Sequence, residues 1–181
     1  MPDQLNSISP LDGRYNKDAA VLSHYFSESA LMRYRMQIEV EYLIALSNEN
    51  KITALPPMPK TLQSTLRKLY EKFDSRSARR IKKIETQTNH DVKAIEQYIS
   101  EKLQKINLSK FIPWVHFGLT SEDVNNIAYS SMWQDGIKYV YLPRLNALQK
   151  IIKKLSRLYS SAAMLALTHG QAATPTTFGK E

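Results

Sequence analysis

The chain has 181 residues, 43% of them hydrophobic, which is enough to bury a core in one domain or in two small ones. It contains no cysteine, which excludes disulfides and thiolate metal sites, and no apolar run approaches the roughly 18 residues of a membrane span. The net charge of +8 suggests an anionic partner, for which a phosphorylated metabolite and nucleic acid are both candidates.

The fold class follows from the scarcity of turn residues. The chain has only five glycines, and the dipeptides that connect strands are rare, so an all-α fold is expected. Residues 1–6 show neither the basic nor the apolar region of a signal peptide, and we expect a cytoplasmic protein without a membrane segment.

Residues 1–16 are predicted to be irregular, with turn-forming pairs at Ser9-Pro10 and Asp12-Gly13. The turn carries Arg14 and Tyr15, whose guanidinium and phenol groups could bind a phosphate or a carboxylate. The alternative is a surface turn whose tyrosine packs on the core.

Two amphipathic helices are predicted next. Ser27 is a candidate N-cap for a helix that ends near residues 48–50. Its apolar residues recur at helical spacing: Leu31, Tyr34, Ile38, Tyr42, Leu43 and Leu46. A linker with three prolines at residues 55–59 separates this helix from a second one over residues 60–74.

A third helical pattern runs from about Ser77 to Lys105. It contains the polar cluster Asn89, His90 and Asp91, preceded by threonines, and these residue types are poor helix formers. Propensity would not place them together, so the cluster indicates either a break or a function. His90 lies off the apolar stripe, where a solvated surface role and a functional role are both open.

The same pattern carries a basic cluster, Arg76–Lys83. A solvated helix face and a nucleic-acid site are both compatible with it, and the first is the simpler interpretation. No aromatic-interleaved motif accompanies the cluster, so a helical nucleic-acid-binding or partner-binding module is kept only as an alternative function.

A connection follows over residues 107–114, and the residues after it predict a helix start at Thr120 and Ser121, with acids in the first turn. These two residues could cap the helix and nothing more. They could also bind an anion, because a helix N-terminus offers unpaired N–H groups and hydroxyls.

A long helical stretch extends from Ser121 to about Ser161, with a kink or two abutting helices expected at residues 141–142 because Pro143 removes a hydrogen bond. About 40 residues at 1.5 Å each would span roughly 60 Å. That exceeds a compact domain of this size, so part of the apolar surface is expected to need more chain or another subunit.

The tail places His169 beside a glycine, among hydroxyls and an amide, and we expect a polar loop there that leads into a helix start. Four motifs then point to one family: SPLDGRY at residues 9–15, TQTNHDVK at 86–93, HFGLTSEDVNN at 116–126, and THGQ followed by TPTT over 168–177. In this order they closely resemble the bacterial branch of the adenylosuccinate lyase family, in the fumarase/aspartase superfamily.

The resemblance implies β-elimination of fumarate from adenylosuccinate, giving AMP, and from SAICAR, giving AICAR, in purine biosynthesis. A base removes a proton from the succinyl carbon, the carbanion is held as an aci-carboxylate, and an acid protonates the departing nitrogen. The resemblance implies no metal and no cofactor.

Residue roles are also implied by the resemblance. Arg14 and Tyr15 match the phosphate-binding pair, and Asn89, His90 and Asp91 match a second substrate-binding segment, with Lys93 a weaker anion contact. Thr120 and Ser121 match residues that hold a succinyl carboxylate. His169 matches the general acid, and imidazole suits that role because it exchanges protons near neutral pH.

The chain departs from the family at Ala172, where proline is usual, which frees φ and adds an N–H group. The family continues for well over 200 further residues, which include a serine thought to be the base, and its active sites form between subunits of a homotetramer. The resemblance therefore implies an N-terminal portion, inactive alone. It would comprise a helical domain at residues 1–112 and the start of a central helical bundle at residues 113–181.

Overall fold

The computed structural model describes residues 6–181, so the expectations for residues 1–5 lie outside the described part. The chain divides into two units, Met1–Gly136 and Ile137–Glu181. Each is described by itself below. The domain boundary expected near residue 112 stays a prediction.

The first unit is helical. It begins with short elements that the sequence did not predict, namely α1 (Asn16–Ala19), a 3-10 turn (Ala20–Leu22) and α2 (Ser23–Phe26). The longer helices are α3 (Glu28–Asn48), α4 (Lys60–Glu71), α5 (Ser75–Thr88), α6 (Asp91–Lys105) and α7 (Ser121–Gly136), with a 3-10 segment (Ser109–Trp114) before α7.

Helix α3 lies at the centre of this unit. The predicted N-cap is confirmed, because the Ser27 hydroxyl accepts the N–H of Ala30 at 3.1 Å. The single predicted stripe is an incomplete description, since α3 is buried on two sides. Met36, Val40 and Leu43 enter a core shared with α4, α5 and α6. Tyr34 enters a second cluster with residues of α7.

The helical pattern predicted over residues 77–105 is two helices, because the structure breaks it between α5 and α6, at the polar cluster where the sequence left a break open. Asn89 follows α5 with φ of 49°, a left-handed conformation that asparagine tolerates better than most residues. His90 then caps α6. Because of the break, both helices can turn their apolar faces to the same core. Ile81 and Ile84 enter it from α5, and Ile95 and Ile99 enter it from α6.

The second unit contains a π-helical segment (Ile137–Tyr141), helix α8 (Leu142–Leu158) and two strands. The predicted discontinuity at residues 141–142 is found where the π-helical segment meets α8. Pro143 lies in the first turn of α8, directly after the π-helical segment. Within residues 6–181, α8 has no buried residue. Its exposed apolar side chains are Leu142, Leu145, Leu148, Ile151, Ile152, Leu155 and Leu158.

The strands β1 (Ala163–Thr168) and β2 (Gln171–Thr177) form an antiparallel ribbon with Thr168 opposite Gln171. The all-α fold class is confirmed by the helices, and this two-stranded ribbon is an addition to it. No helix in the described part of the chain is both long and apolar enough to cross a membrane.

Candidate functional site

Residues 88–93 form a tight corner between α5 and α6, and the corner explains why weak helix formers are grouped there. Asn89 takes the left-handed conformation, and the Nδ1 atom of His90 accepts the N–H of Lys93 at 3.2 Å. An acceptor nitrogen carries no proton, so the neutral His90 ring places its proton on Nε2. The ring is about half exposed, so this N–H can donate to an anion.

A solvent-open depression of about 500 Å³ lies at this corner. Its lining residues come from the last turns of α5 and the start of α6: Lys82, Glu85, Thr86, Asn89, His90 and Asp91. The predicted segment therefore faces solvent with the donors of Asn89 and His90 beside it, while the lining cation, Lys82, is paired with Glu28 and Glu85. Such donors are groups that a phosphate or carboxylate requires.

Asp91 is fixed by a buried arginine. Its Oδ2 lies 2.7 Å from a guanidinium nitrogen of Arg35, while its Oδ1 accepts the N–H of Val92 at 2.8 Å. Partial burial alone would raise the pKa of Asp91, but the Val92 N–H and the Arg35 charge outweigh it and hold the pKa below its ordinary value. Asp91 is thus a paired carboxylate that anchors the corner.

Arg35 also joins this corner to α7. Its Nε donates to Oδ1 of Asn125 at 2.9 Å, and the Asn125 amide donates to Glu122 at 2.9 Å. Only 6% of the Arg35 side chain is exposed. A single side chain of α3 therefore links Asp91 to Asn125, which lies on α7 four residues after Ser121.

Thr120 and Ser121 begin α7 as predicted. The N–H and hydroxyl of Thr120 donate to Oδ2 of Asp123 at 2.7 and 2.8 Å, which forms a capping box. Both hydrogen bonds lower the pKa of Asp123, and the bond from the Thr120 N–H has the larger effect. The Ser121 hydroxyl makes no hydrogen bond within residues 6–181. Capping and anion binding thus use different groups here, and both interpretations of the segment stand.

Arg14 and Tyr15 lie in the predicted turn, where the N–H groups of Asp12 and Gly13 both donate to the Ser9 carbonyl at 3.1 Å. The Arg14 guanidinium lies 5.7 Å from the centre of the Tyr15 ring. Tyr15 is 47% exposed, which argues against the core-packing alternative. Both side chains are available to a ligand, and their phosphate-binding role stays a prediction.

His169 belongs to the second unit, at the tip of the β1–β2 ribbon. The expectation of a loop before a helix start is wrong, because His169 and Gly170 form a two-residue hairpin turn. Their φ angles are 53° and 77°, and two successive positive values are the mark of a type I′ turn. The imidazole is exposed on this tip, as a proton donor to a ligand must be.

The basic cluster Arg76–Lys83 is largely neutralised within the fold. Arg76 pairs with Asp74, Arg80 with Glu101, and Lys82 with both Glu28 and Glu85. Side chains committed to carboxylates have fewer charges to offer phosphates. These contacts favour the solvated helix face over the nucleic-acid interpretation.

Sequence reasoning missed a group of polar residues beside the two predicted segments. Two are buried, Arg35 and Glu39 on α3, and they contact the partly buried Asn125 on α7 and His116 before α7, with Glu96 of α6 beside His116. A signal was present, because Arg35 and Glu39 are four residues apart on a helix and alternate with the buried Met36 and Val40. Charged residues on an apolar helix face are rare unless they are paired.

The sequence pattern of a family described as Lyase matches residues 13–181. The chain is 42% identical over 178 residues to adenylosuccinate lyase from Legionella pneumophila (strain Corby), covering 98% of this chain and 39% of that protein. It is 39% identical over 178 residues to adenylosuccinate lyase from Escherichia coli (strain K12), again covering 98% and 39%.

The protein of that name from Dictyostelium discoideum is 42% identical over 183 residues, covering 99% of this chain and 39% of that protein. The chain therefore spans about two fifths of the length of the curated relatives it matches.

Solved structures give the same fold. A fumarate lyase from Mesorhizobium sp. BNC1 matches with a TM-score of 0.66 and 19% identity, covering 88% of this chain and 35% of that one. A β-carboxy-cis,cis-muconate cycloisomerase from Acinetobacter calcoaceticus sp. ADP1 matches with a TM-score of 0.60 and 18% identity, covering 88% and 36%. At these identities the likeness concerns the fold alone.

Proposed function

Because this chain belongs to the lyase family, we propose that the whole protein catalyses the elimination of fumarate from adenylosuccinate, giving AMP, and from SAICAR, giving AICAR. One observation carries the proposal. Relatives named adenylosuccinate lyase, from two bacteria and from Dictyostelium, are 39–42% identical to 98–99% of this chain.

The geometry supports an anionic substrate. The substrate carries a phosphate and two succinyl carboxylates, which need hydrogen-bond donors and positive charge around them. His90 has a half-exposed ring whose Nδ1 is already bonded to Lys93, Ser121 has a hydroxyl at a helix N-terminus, and Arg14 is exposed. Each of these three residues offers a hydrogen-bond donor, as each of the three anionic groups of the substrate requires.

The assigned roles follow from that match. Arg14 and Tyr15 bind the phosphate, Asn89 and His90 form the second binding segment, and Thr120 and Ser121 hold a succinyl carboxylate. Asp91 acts through its bond to Arg35 by fixing the corner that carries His90. A residue paired with a buried arginine keeps its neighbours in one geometry, which a substrate-binding site needs.

His169 is the general acid of this proposal. A turn that exposes an imidazole at the tip of a two-stranded ribbon can protonate the departing nitrogen when the substrate lies against it. The general base is not assigned to a residue of this chain. The proposal includes a homotetrameric, cytoplasmic enzyme that uses no cofactor or metal.

The test is turnover by the whole protein, followed as loss of adenylosuccinate and release of AMP and fumarate. His169→Ala should lower kcat by about 10²–10⁴-fold, the usual contribution of a positioned acid. His24→Ala is the matched control, because His24 is exposed in α2 and has no proposed role. Absence of fumarate from the unmodified protein would refute the function, and normal turnover by His169→Ala would refute the acid assignment alone.

A further inference from the structure

A buried carboxylate on α3 has one oxygen without a hydrogen bond. The Glu39 side chain is 0% exposed, and its Oε1 lies 2.6 Å from Nδ1 of His116. Its Oε2 is buried and accepts no hydrogen bond within residues 6–181. Burial raises the pKa of Glu39, and the bond to His116 opposes that rise. His116 is therefore the group that makes this buried acid tolerable.

His116 is itself held in an unusual backbone conformation. Its φ is 60°, in the left-handed region where a non-glycine residue is uncommon and strained. Such a conformation persists only where the surroundings fix it. The short contact with Glu39 is the side-chain interaction that does so.

The residues around His116 connect both substrate segments. One turn further along α3, the Tyr42 hydroxyl donates to the carbonyl of Phe117 at 2.9 Å. Residues 116–119, here called the connector, are thus bound to α3 at two places, and the connector leads directly to Thr120 and Ser121. The connector also closes on itself, since the Leu119 N–H donates to the His116 carbonyl at 3.2 Å.

The other side of the ring faces α6. Nε2 of His116 lies 3.9 Å from Glu96, and Glu96 pairs with Lys93 at 2.7 Å. Lys93 is in turn the residue whose N–H binds His90. The ring therefore lies between α3 and the α6 turn that carries the second binding segment.

We propose that His116 is a positioning residue for the succinyl carboxylate site, acting through the connector on Thr120 and Ser121. The inference rests on the proposed function. His116 touches no substrate in this scheme. It fixes the left-handed start of the connector by donating from Nδ1 to Glu39, so that the hydroxyl and N–H groups at the start of α7 meet the carboxylate in one geometry.

Two variants separate this role from general packing. Asparagine tolerates the left-handed region, and its amide nitrogen lies where Nδ1 lies in histidine, so His116→Asn keeps the bond to Glu39. His116→Ala removes that bond and leaves a strained backbone. His24→Ala again controls for loss of a histidine as such.

In the whole enzyme, His116→Ala should raise KM for adenylosuccinate about tenfold or more. Inhibition by AMP, which lacks the succinyl carboxylates, should change less than about twofold. His116→Asn should return KM to within about threefold of the unmodified enzyme. Unchanged KM in His116→Ala, equal losses in the two variants, or a parallel loss of AMP affinity would each overturn the proposal.

A readout that needs no activity keeps the two proposals apart. Amide hydrogen exchange at Leu119 should accelerate at least tenfold in His116→Ala, while Ala128 in the buried middle of α7 stays unchanged, and His116→Asn should match the unmodified protein. Uniform acceleration at both amides, or none, would contradict the positioning role. If the unmodified protein released no fumarate, the proposed function would fail, and the exchange experiment would still decide what His116 does.

Discussion

Arg35 offers a direct test of how the two binding segments are held together. Its side chain is 6% exposed and binds both Asp91 and Asn125, at 2.7 and 2.9 Å. Arg35→Met keeps most of the volume and removes the charge and both hydrogen bonds. The perturbation is therefore electrostatic, with little change in packing.

The magnitude follows from the exposure of the partners. Removing one member of a fully buried ion pair costs about 3–5 kcal/mol, because the other charge is left unpaired. Asp91 is 49% exposed, so water recovers part of that loss. We expect the free energy of unfolding to fall by about 2–3 kcal/mol, of which the two lost bonds of a charged donor account for most.

The assay is urea unfolding of the protein at neutral pH, with a thermal scan beside it. For a chain of this size, 2–3 kcal/mol corresponds to a lower Tm of about 4–12 °C. Arg79→Met is the matched control, because Arg79 is exposed on α5, and it should change stability by no more than about 0.5 kcal/mol. Equal effects of the two substitutions would refute the view that Arg35 holds the segments together.

Three further outcomes are expected. Gly179→Ala should release the C-terminal residues from α8, because a Cβ atom would lie 2.2 Å from the Ser156 carbonyl oxygen, and faster amide exchange at Phe178, whose N–H donates to the Ala162 carbonyl at 2.8 Å, would report it. Unchanged exchange would contradict that contact. The Ser77 N–H lowers the pKa of Asp74 from its ordinary 3.8 to about 2, so this cap stabilises the fold above pH 3.8 and the effect is lost as pH falls through about 2. As pH falls from 3.8 to about 2, the urea midpoint of Asp74→Asn should therefore decrease less steeply than that of the unmodified protein. Equal pH dependence of the midpoint in the two proteins would count against the cap. Gly170→Ala should destabilise the hairpin by about 1 kcal/mol, since open space surrounds the new methyl group and only the positive φ opposes it. Intact cross-strand NMR contacts with unchanged stability would exclude that strain.

Local features of the fold could be predicted from the sequence because they depend on neighbouring residues. Three such features are the Ser27 cap, the linker with three prolines at residues 55–59, and the acidic first turn after Thr120. Each involves groups within a few positions of one another. The helices themselves follow from apolar residues at three- and four-residue spacing. The motifs carrying His90, Ser121 and His169 were likewise visible without a structure.

Conformational choices at two short places were only partly visible in the sequence, because the weak helix formers around Asn89 left both a break and a function open, and the tail around His169 indicated a loop. Asn89 and His169 both adopt positive φ, which breaks one helical pattern and turns one tail into a ribbon. Periodicity records which side chains are apolar and contains no information on a single residue's φ. A glycine after His169 was the only local hint, and it also fits a loop.

The buried polar network was decided by tertiary structure alone. Arg35 meets Asn125 across 90 positions, and Glu39 meets His116 across 77. A charge on an apolar helix face is unfavourable until a partner from another element neutralises it, and no local pattern names that partner. The sequence determined the helices and the reactive groups, whereas α3 determined how two of the binding segments are held, because only packing brings residues so distant in the chain within hydrogen-bonding distance.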